Sequence, residues 1–267
     1  MKIIRFISNN NEIFYGQYMV DEPDWANIIE GDIFHDFTVT HRKAKIQQIL
    51  SPVMPSNILA LGFNYRKHAD ETKMEAPEFP VLFIKGTNSV IGHEAPIMLP
   101  MVGPDKVDYE AELAVIISKS AKNISPDEAF NYILGYTCAN DISARDWQFE
   151  KQKGQWARGK SFDSFCPLGP CLVMKDEIAN PNQLHIKATL NDVILQDANT
   201  SSMIFNVPGI VSHLSQSMTL LPATVILTGT PEGVGFTRQP PVFMKKGDII
   251  TIEIEKIGKL RNWVSSE

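Results

Sequence analysis

Cysteine is scarce in this chain. It has three among 267 residues (Cys138, Cys166 and Cys171), at spacings that match no metal-ligand pattern. A sparse, odd-numbered set of thiols excludes a disulfide scaffold and predicts a reducing, cytoplasmic setting. Long apolar runs are missing as well, and no window approaches the roughly 20 residues of a membrane span. The apolar opening Met1–Ile7 is too short for the core of a secretion signal and gives way to the polar run Ser8–Asn11. Charge of one sign is not concentrated anywhere. With 25 Lys and Arg against 31 Asp and Glu, the net charge of −6 is spread along the chain, so neither nucleic acid nor an anionic membrane is expected as a partner. Internal repeats and low-complexity tracts are absent too.

What remains is an ordinary globular composition, with 43% apolar and 21% charged residues, in a chain long enough to bury a sizeable core. The sequence divides at Pro55-Ser56. Residues 1–54 read as a small N-terminal β-rich unit and residues 55–267 as the main body. The main body alternates short β-branched strands with turns and a few short helices, a β-rich α+β chain. Ser125-Pro126-Asp127-Glu128 has the form of a capped helix start. Asn191-Asp192 between Leu184–Leu190 and Ile194–Gln196 signals a hairpin. Asn206 should start a helix running to about Ser217.

The chemistry centres on Val107–Ile117. A strand has a period of two, so Glu110 and Glu112 project from one face, beside a buried apolar run. Two carboxylates so placed repel each other and lose hydration, and a divalent cation bound by hard oxygens satisfies both. Asp141, at the end of the apolar run Ile133–Asn140, is the expected third ligand. The other reading of the pair is two surface glutamates on an edge strand.

Among six histidines, His35 and His41 are near no carboxylate cluster. His93 reads as structural, His185 as solvent-facing, and His213 as lying on the packed face of its helix. His68 differs. In the helix-compatible stretch Arg66–Lys73 it stands three residues before Glu71, within reach on one face. A carboxylate against an imidazole fixes its tautomer, as a general base requires. A solvated helical turn would show the same spacing. The following loop, residues 74–80, would let the segment act as a lid. Lys85 ends a buried strand, either snorkelling or touching an anion. Arg145 and Lys160 flank the carboxylates, as charge compensation, as anion contacts, or as both. The glycine-rich loop Thr228–Gly235 could bring backbone N–H groups to an anion, and it carries neither a phosphate-loop nor a dinucleotide fingerprint.

Six blocks in this order resemble the fumarylacetoacetate hydrolase family, in particular its short acylpyruvase-like and oxaloacetate decarboxylase-like members: Gly62–His68, Asp108–Leu113, Asn140–Asp146, Gly159–Asp163, Thr200–Phe205 and Thr228–Gly235. Phe63 and Gly86 depart from the family's usual residues. The resemblance implies a mixed β-roll with flanking short helices, a homodimer, and one Mg²⁺ or Mn²⁺ per subunit on Glu110, Glu112 and Asp141. It makes His68 and Glu71 a water-activating pair and Lys160 the cation beside a developing enolate. Lys85, Arg145, Gln148 and Thr230 become contacts that bind substrate or organise the site.

The chemistry implied is that of a small anionic 2-oxo or 2,4-dioxo acid, chelating the metal through a carboxylate and the adjacent keto oxygen. Hydrolysis of a C–C bond is the leading expectation, with His68 serving the water-dependent branch alone. Decarboxylation of oxaloacetate, or tautomerisation or isomerisation at the same site, is the alternative. A non-catalytic binder of a metal-chelated acid is a more distant reading.

Overall fold

The computed structural model describes residues 1–267. Its strands, in chain order, begin with β1 (Lys2–Ser8), β2 (Ile13–Tyr18), β3 (Trp25–Gly31), β4 (Phe37–Leu50), β5 (Ile58–Gly62), β6 (Val81–Lys85), β7 (Val90–Ile91), β8 (Pro96–Leu99) and β9 (Val107–Asp108). They continue with β10 (Ala111–Ile117), β11 (Ile133–Asn140), β12 (Ser143–Ala144), β13 (Cys166–Met174), β14 (His185–Leu190), β15 (Val193–Asn199), β16 (Val225–Leu227), β17 (Ile249–Ile254) and β18 (Gly258–Ser266). Two short α-helices, α1 (Arg66–Glu71) and α2 (Val207–Ser215), accompany them.

The larger sheet runs β2-β3-β4-β1-β13-β11-β10-β16-β5-β6, with β7 alongside β13, and a five-stranded sheet runs β15-β14-β17-β18-β8. The fold is therefore the β-rich, mixed-sheet architecture expected. β10 and β11, at its centre, are buried at every position. Continuous apolar runs of this kind suit strands covered on both faces. One large apolar cluster takes side chains from both sheets and from α2, and a smaller one fills the opposite face of the main sheet. The N-terminal strands do not stand apart. β1 pairs with β13 through Lys2↔Val173 and Ile3↔Leu172, so residues 1–54 extend the central sheet.

Local signals play out as their chemistry dictates. Ser125 and Glu128 form a reciprocal capping box, although the helix they open, Pro126–Tyr132, is 3₁₀. Asn206 caps α2 by accepting from the Gly209 N–H. Asn191 and Asp192, both at positive φ, close the β14–β15 hairpin.

Two expectations need correction. His213 is exposed rather than packed, and its ring stacks on Phe79 with centroids 6.1 Å apart. The strand expected over Val107–Ile117 is interrupted at Tyr109–Glu110, between β9 and β10. The Asp108 carboxylate accepts from the N–H groups of Tyr109, Gly235 and Phe236, and it draws the chain out of the ladder there.

Candidate active site

The interruption sets up the site. β10 pairs with β11 with Ala111 opposite Asn140 and Glu112 opposite Ala139, which brings Asp141, just past β11, level with Glu110. The Glu110 N–H donates to Asn140 Oδ1, and the Asp141 N–H donates to the Glu110 carbonyl. As a result, ligand-capable oxygens of Glu110, Glu112 and Asp141 all lie within 4.8 Å of one another, and all three residues are buried.

Three buried cations surround them. Lys160 Nζ bridges Glu110 Oε2 and Asp141 Oδ2, 2.7 Å from each. Arg145 Nη1 lies 2.8 Å from Glu110 Oε1 and donates to Gln148 Oε1, while its Nε donates to Asp108 Oδ2 at 2.9 Å. Lys85 Nζ lies 2.6 Å from Asp141 Oδ1 and donates to the Ile142 and Lys160 carbonyls. Its side chain is fully buried and does not line the cavity described below. Of the two roles expected for Lys85, organising the site fits its position and touching substrate does not.

Charge and burial pull these groups in different directions. Burial alone would raise Glu110, but Lys160 and Arg145 outweigh it and bring the carboxyl down to about 2. Burial penalises the charged form of Lys160, yet Asp141 and Glu110 overcome this and raise its pKa. Burial raises Glu112 well above the usual carboxylate range, and the neighbouring charges of Asp141 and Glu110 push it further.

Whether a metal ion suits this set can be judged from the unpaired atoms. Four buried carboxyl groups, with Asp108 the fourth, face three buried cations, so Glu112 is left to hold either a proton or a further cation. Glu112 Oε2 accepts the Gly229 N–H, but Oε1 is buried with no partner. The oxygens of Glu110 and Asp141 that meet Lys160 and Lys85 retain further lone-pair sites. Three hard oxygen donors, one of them buried without a partner, fit a divalent cation that prefers oxygen.

The His68–Glu71 pair forms as its spacing predicts, with Nδ1 and Oε1 2.7 Å apart on α1. It is not a solvated turn, because His68 is buried. Glu71 is itself held, since its Oε2 accepts from the Gly233 N–H at 2.9 Å and from the Thr237 hydroxyl at 3.2 Å. His68 Nδ1 is thereby committed, and no protein group bonds Nε2. The glycine-rich loop does cradle anions, and they are the protein's own carboxylates: Glu112 at Gly229, Glu71 at Gly233 and Asp108 at Gly235. Gly229 has φ +93°, and a Cβ there would meet Asn64 at 2.8 Å, so glycine is required for this approach.

A cavity of about 400 Å³ opens over these groups. His68, Glu110, Arg145, Gln148, Lys160 and Thr230 all contribute to its wall. Glu112 and Asp141 do not line it; Asp141 is held by Lys85 and Lys160, and Glu112 by the Gly229 N–H. Residues Gly154–Ser161 match the letters of a phosphate-binding loop, but their shape does not. They follow the π-helical turn Asp146–Lys151 and pass into the 3₁₀ turn Ala157–Lys160, and Lys160 is spent on carboxylates. In the sequence Asp108 is marked only as the start of a family block, and Phe83, Trp156, Phe149 and Phe236 carry no local signal that would single them out. The last four line the cavity from separate parts of the chain.

The profile described as "Fumarylacetoacetate (FAA) hydrolase C-terminal" matches residues 57–265, beginning close to the division at Pro55-Ser56. The chain is 46% identical over 235 residues to the "Fumarylacetoacetate hydrolase domain-containing protein 2 homolog" of Dictyostelium discoideum, covering 84% of this chain and 77% of that one. It is 44% identical over 216 residues to the human "Oxaloacetate tautomerase FAHD2A, mitochondrial", covering 80% and 68% respectively. Among solved structures, the 5-carboxymethyl-2-hydroxymuconate delta-isomerase from Mycobacterium smegmatis superposes with a TM-score of 0.87 at 36% identity over the full length of both chains.

Proposed function

The chain belongs to the fumarylacetoacetate hydrolase family, and on that premise we propose that it is a divalent-metal-dependent tautomerase that interconverts the enol and keto forms of a small 2-oxo acid. The observation that carries the proposal is His68. It is the one acid–base group on the cavity wall not tied to the carboxylate cluster, and Glu71 holds its Nδ1 so that Nε2 is left for substrate.

A divalent ion on Glu110, Glu112 and Asp141 would supply Lewis-acid polarisation of the substrate's 2-oxo oxygen. Keto–enol exchange breaks no carbon–carbon bond. It needs one group to carry a proton to and from the carbon beside the carbonyl, and a positive field where the oxygen gathers charge. His68 fits the first task, and Lys160 and Arg145 fit the second. The aromatic part of the lining lowers the polarity of the cavity, which strengthens the positive field.

Similarity to an oxaloacetate tautomerase and to a delta-isomerase favours this branch over the C–C hydrolysis first expected. Under this reading His68 serves proton transfer to carbon instead of water activation. Decarboxylation of oxaloacetate would use the same positive field and leave His68 with less to do.

The reading extends to setting and assembly. Three buried, unpaired cysteines suit a reducing compartment, and we place the protein in the cytoplasm. No helix is long and apolar enough to cross a membrane. A homodimer is also proposed, because Leu82 and Ile84 are exposed on the edge strand β6, where a second copy would cover them.

The test follows ketonisation of enol-oxaloacetate with Mg²⁺, by its ultraviolet absorbance, in wild type and His68→Ala. Loss of the general acid–base should cost on the order of 10²–10⁴ in rate while oxalate binding persists. Undiminished ketonisation in His68→Ala, or wild-type turnover confined to acylpyruvate cleavage, would overturn the proposal.

A further inference from the structure

We infer that the cavity is built for a 2-oxo acid whose substituent beyond the keto group is flat, apolar and uncharged, such as an aryl or conjugated alkenyl group. The inference rests on the reading of the site as a 2-oxo acid enzyme and concerns which acid it takes.

The first support is the state of the charged groups on the wall. His68 is committed to Glu71, Arg145 to Asp108, Glu110 and Gln148, and Lys160 to Glu110 and Asp141. Arg145 and Lys160 thus serve the oxygens at the head of the substrate, and His68 keeps only its Nε2, for the carbon beside the keto group. No further cation lines the cavity, so a second carboxylate at the tail would find no ion-pair partner on the wall.

The second support is the rest of the wall. Phe63, Phe83 and Trp156 form a continuous aromatic face, with Trp156 edge-on to both phenylalanines at centroid distances of 5.3 and 5.5 Å. Phe149 packs on Phe236 at 5.5 Å on another part of the wall, and Met74 and Phe149 are exposed at the mouth. A bare small keto acid would fill only part of about 400 Å³, a volume that suits a larger ligand.

The backbone is shaped to hold this face in place. Phe63 sits at φ +55°, a left-handed conformation that a bulky residue rarely adopts, and there its ring stacks against His68 at 6.1 Å. Gly62 lets the Trp156 ring lie against the chain, since a Cβ would come within 2.4 Å of it. An aromatic substituent entering between these rings would find edges and faces already oriented for stacking.

The test is calorimetry on the Mg²⁺-loaded protein with phenylpyruvate, pyruvate and oxaloacetate, in wild type, Trp156→Ala and Phe63→Arg. Wild type should bind phenylpyruvate at least about tenfold tighter than pyruvate, in line with well-fitted apolar groups elsewhere, and tighter than oxaloacetate. Trp156→Ala should remove most of that gain. Phe63→Arg, which adds a cation to the wall, should move the preference toward oxaloacetate by about tenfold. If one variant fails to fold by circular dichroism, the other variant and the wild-type ratios still decide.

Equal wild-type affinity for phenylpyruvate and pyruvate, or tighter binding of oxaloacetate, overturns the inference. Deuterium exchange at the carbon beside the carbonyl, read by NMR on the same ligands, reports separately on the proposed reaction. Tight phenylpyruvate binding without exchange would sink the tautomerase and leave the ligand class standing.

Discussion

Lys85→Met removes a buried charge while keeping the length and apolar stem of the side chain, so little of its effect should come from a cavity. In the wild type Asp141 is pinned from both sides, by Lys85 at Oδ1 and Lys160 at Oδ2, with none of the three side chains more than 3% exposed. Taking away one partner of such a pair leaves charge buried without compensation, typically at a cost of about 3–5 kcal/mol. The Ile142 and Lys160 carbonyls would lose their donor as well, which keeps the loss at the upper end. At about 2 °C per kcal/mol for a chain of this size, the melting temperature should fall by roughly 6–10 °C. Scanning calorimetry reads this directly. Adding Asp141→Asn to Lys85→Met should recover part of the loss, since the Lys85–Asp141 pair then leaves no lone charge while Lys160 keeps only Glu110, and the double-mutant cycle would show coupling on the order of 1–3 kcal/mol. A Lys85→Met variant with an unchanged melting temperature and only a raised KM would refute this reasoning and return Lys85 to the substrate.

Other outcomes follow from the same geometry. Glu110→Gln should weaken Mg²⁺ binding sharply, and unchanged affinity by calorimetry would remove Glu110 from the ligand set. Glu112 keeps its proton in the fold at pH values where an unfolded chain has lost it, because burial and the charges of Asp141 and Glu110 raise its carboxyl. The metal-free protein should therefore lose stability as pH rises from the ordinary carboxylate value to the raised one, with no such loss below it. Mg²⁺ must displace that proton, so its affinity should climb with pH over the same window; calorimetry in buffers of different ionisation heat would expose a pH-independent affinity as a contradiction. A homodimer should give a dimer mass in light scattering at micromolar concentration, and a monomer mass would dismiss it.

The His68–Glu71 contact was legible because it depends on a three-residue spacing within one helix. The acidic cluster was legible because Glu110 and Asp141 sit directly at the ends of apolar strands, even though the strand expected to carry both glutamates is broken at Glu110. The hairpin at Asn191-Asp192 and the capping box at Ser125 were legible for the same local reason. Interactions between distant segments were not. The break at Tyr109–Glu110 depends on Asp108 receiving N–H groups from a loop more than a hundred residues later, at Gly235. The partner of Lys85 is 56 residues away, so no local pattern could choose between snorkelling and pairing. Aromatic residues that converge on one cavity carry no common spacing when they arrive from five separate segments. β3 escaped notice because Trp25–Gly31 mixes exposed and buried positions without clean alternation.

The loop from Thr228 to Phe236 holds three carboxylates with different duties: Glu112 in the metal set, Glu71 behind the imidazole, and Asp108 behind Arg145. Surface connections usually vary freely between relatives, and engineers reach for them first when they want a new specificity. Here that freedom is withdrawn. A displacement of this backbone would disturb all three carboxylates at once, so on the proposed function none of the three duties can be adjusted alone through it. Diversification is thereby channelled to wall residues outside the loop, such as Trp156, whose ring packs on Phe63 and Phe83.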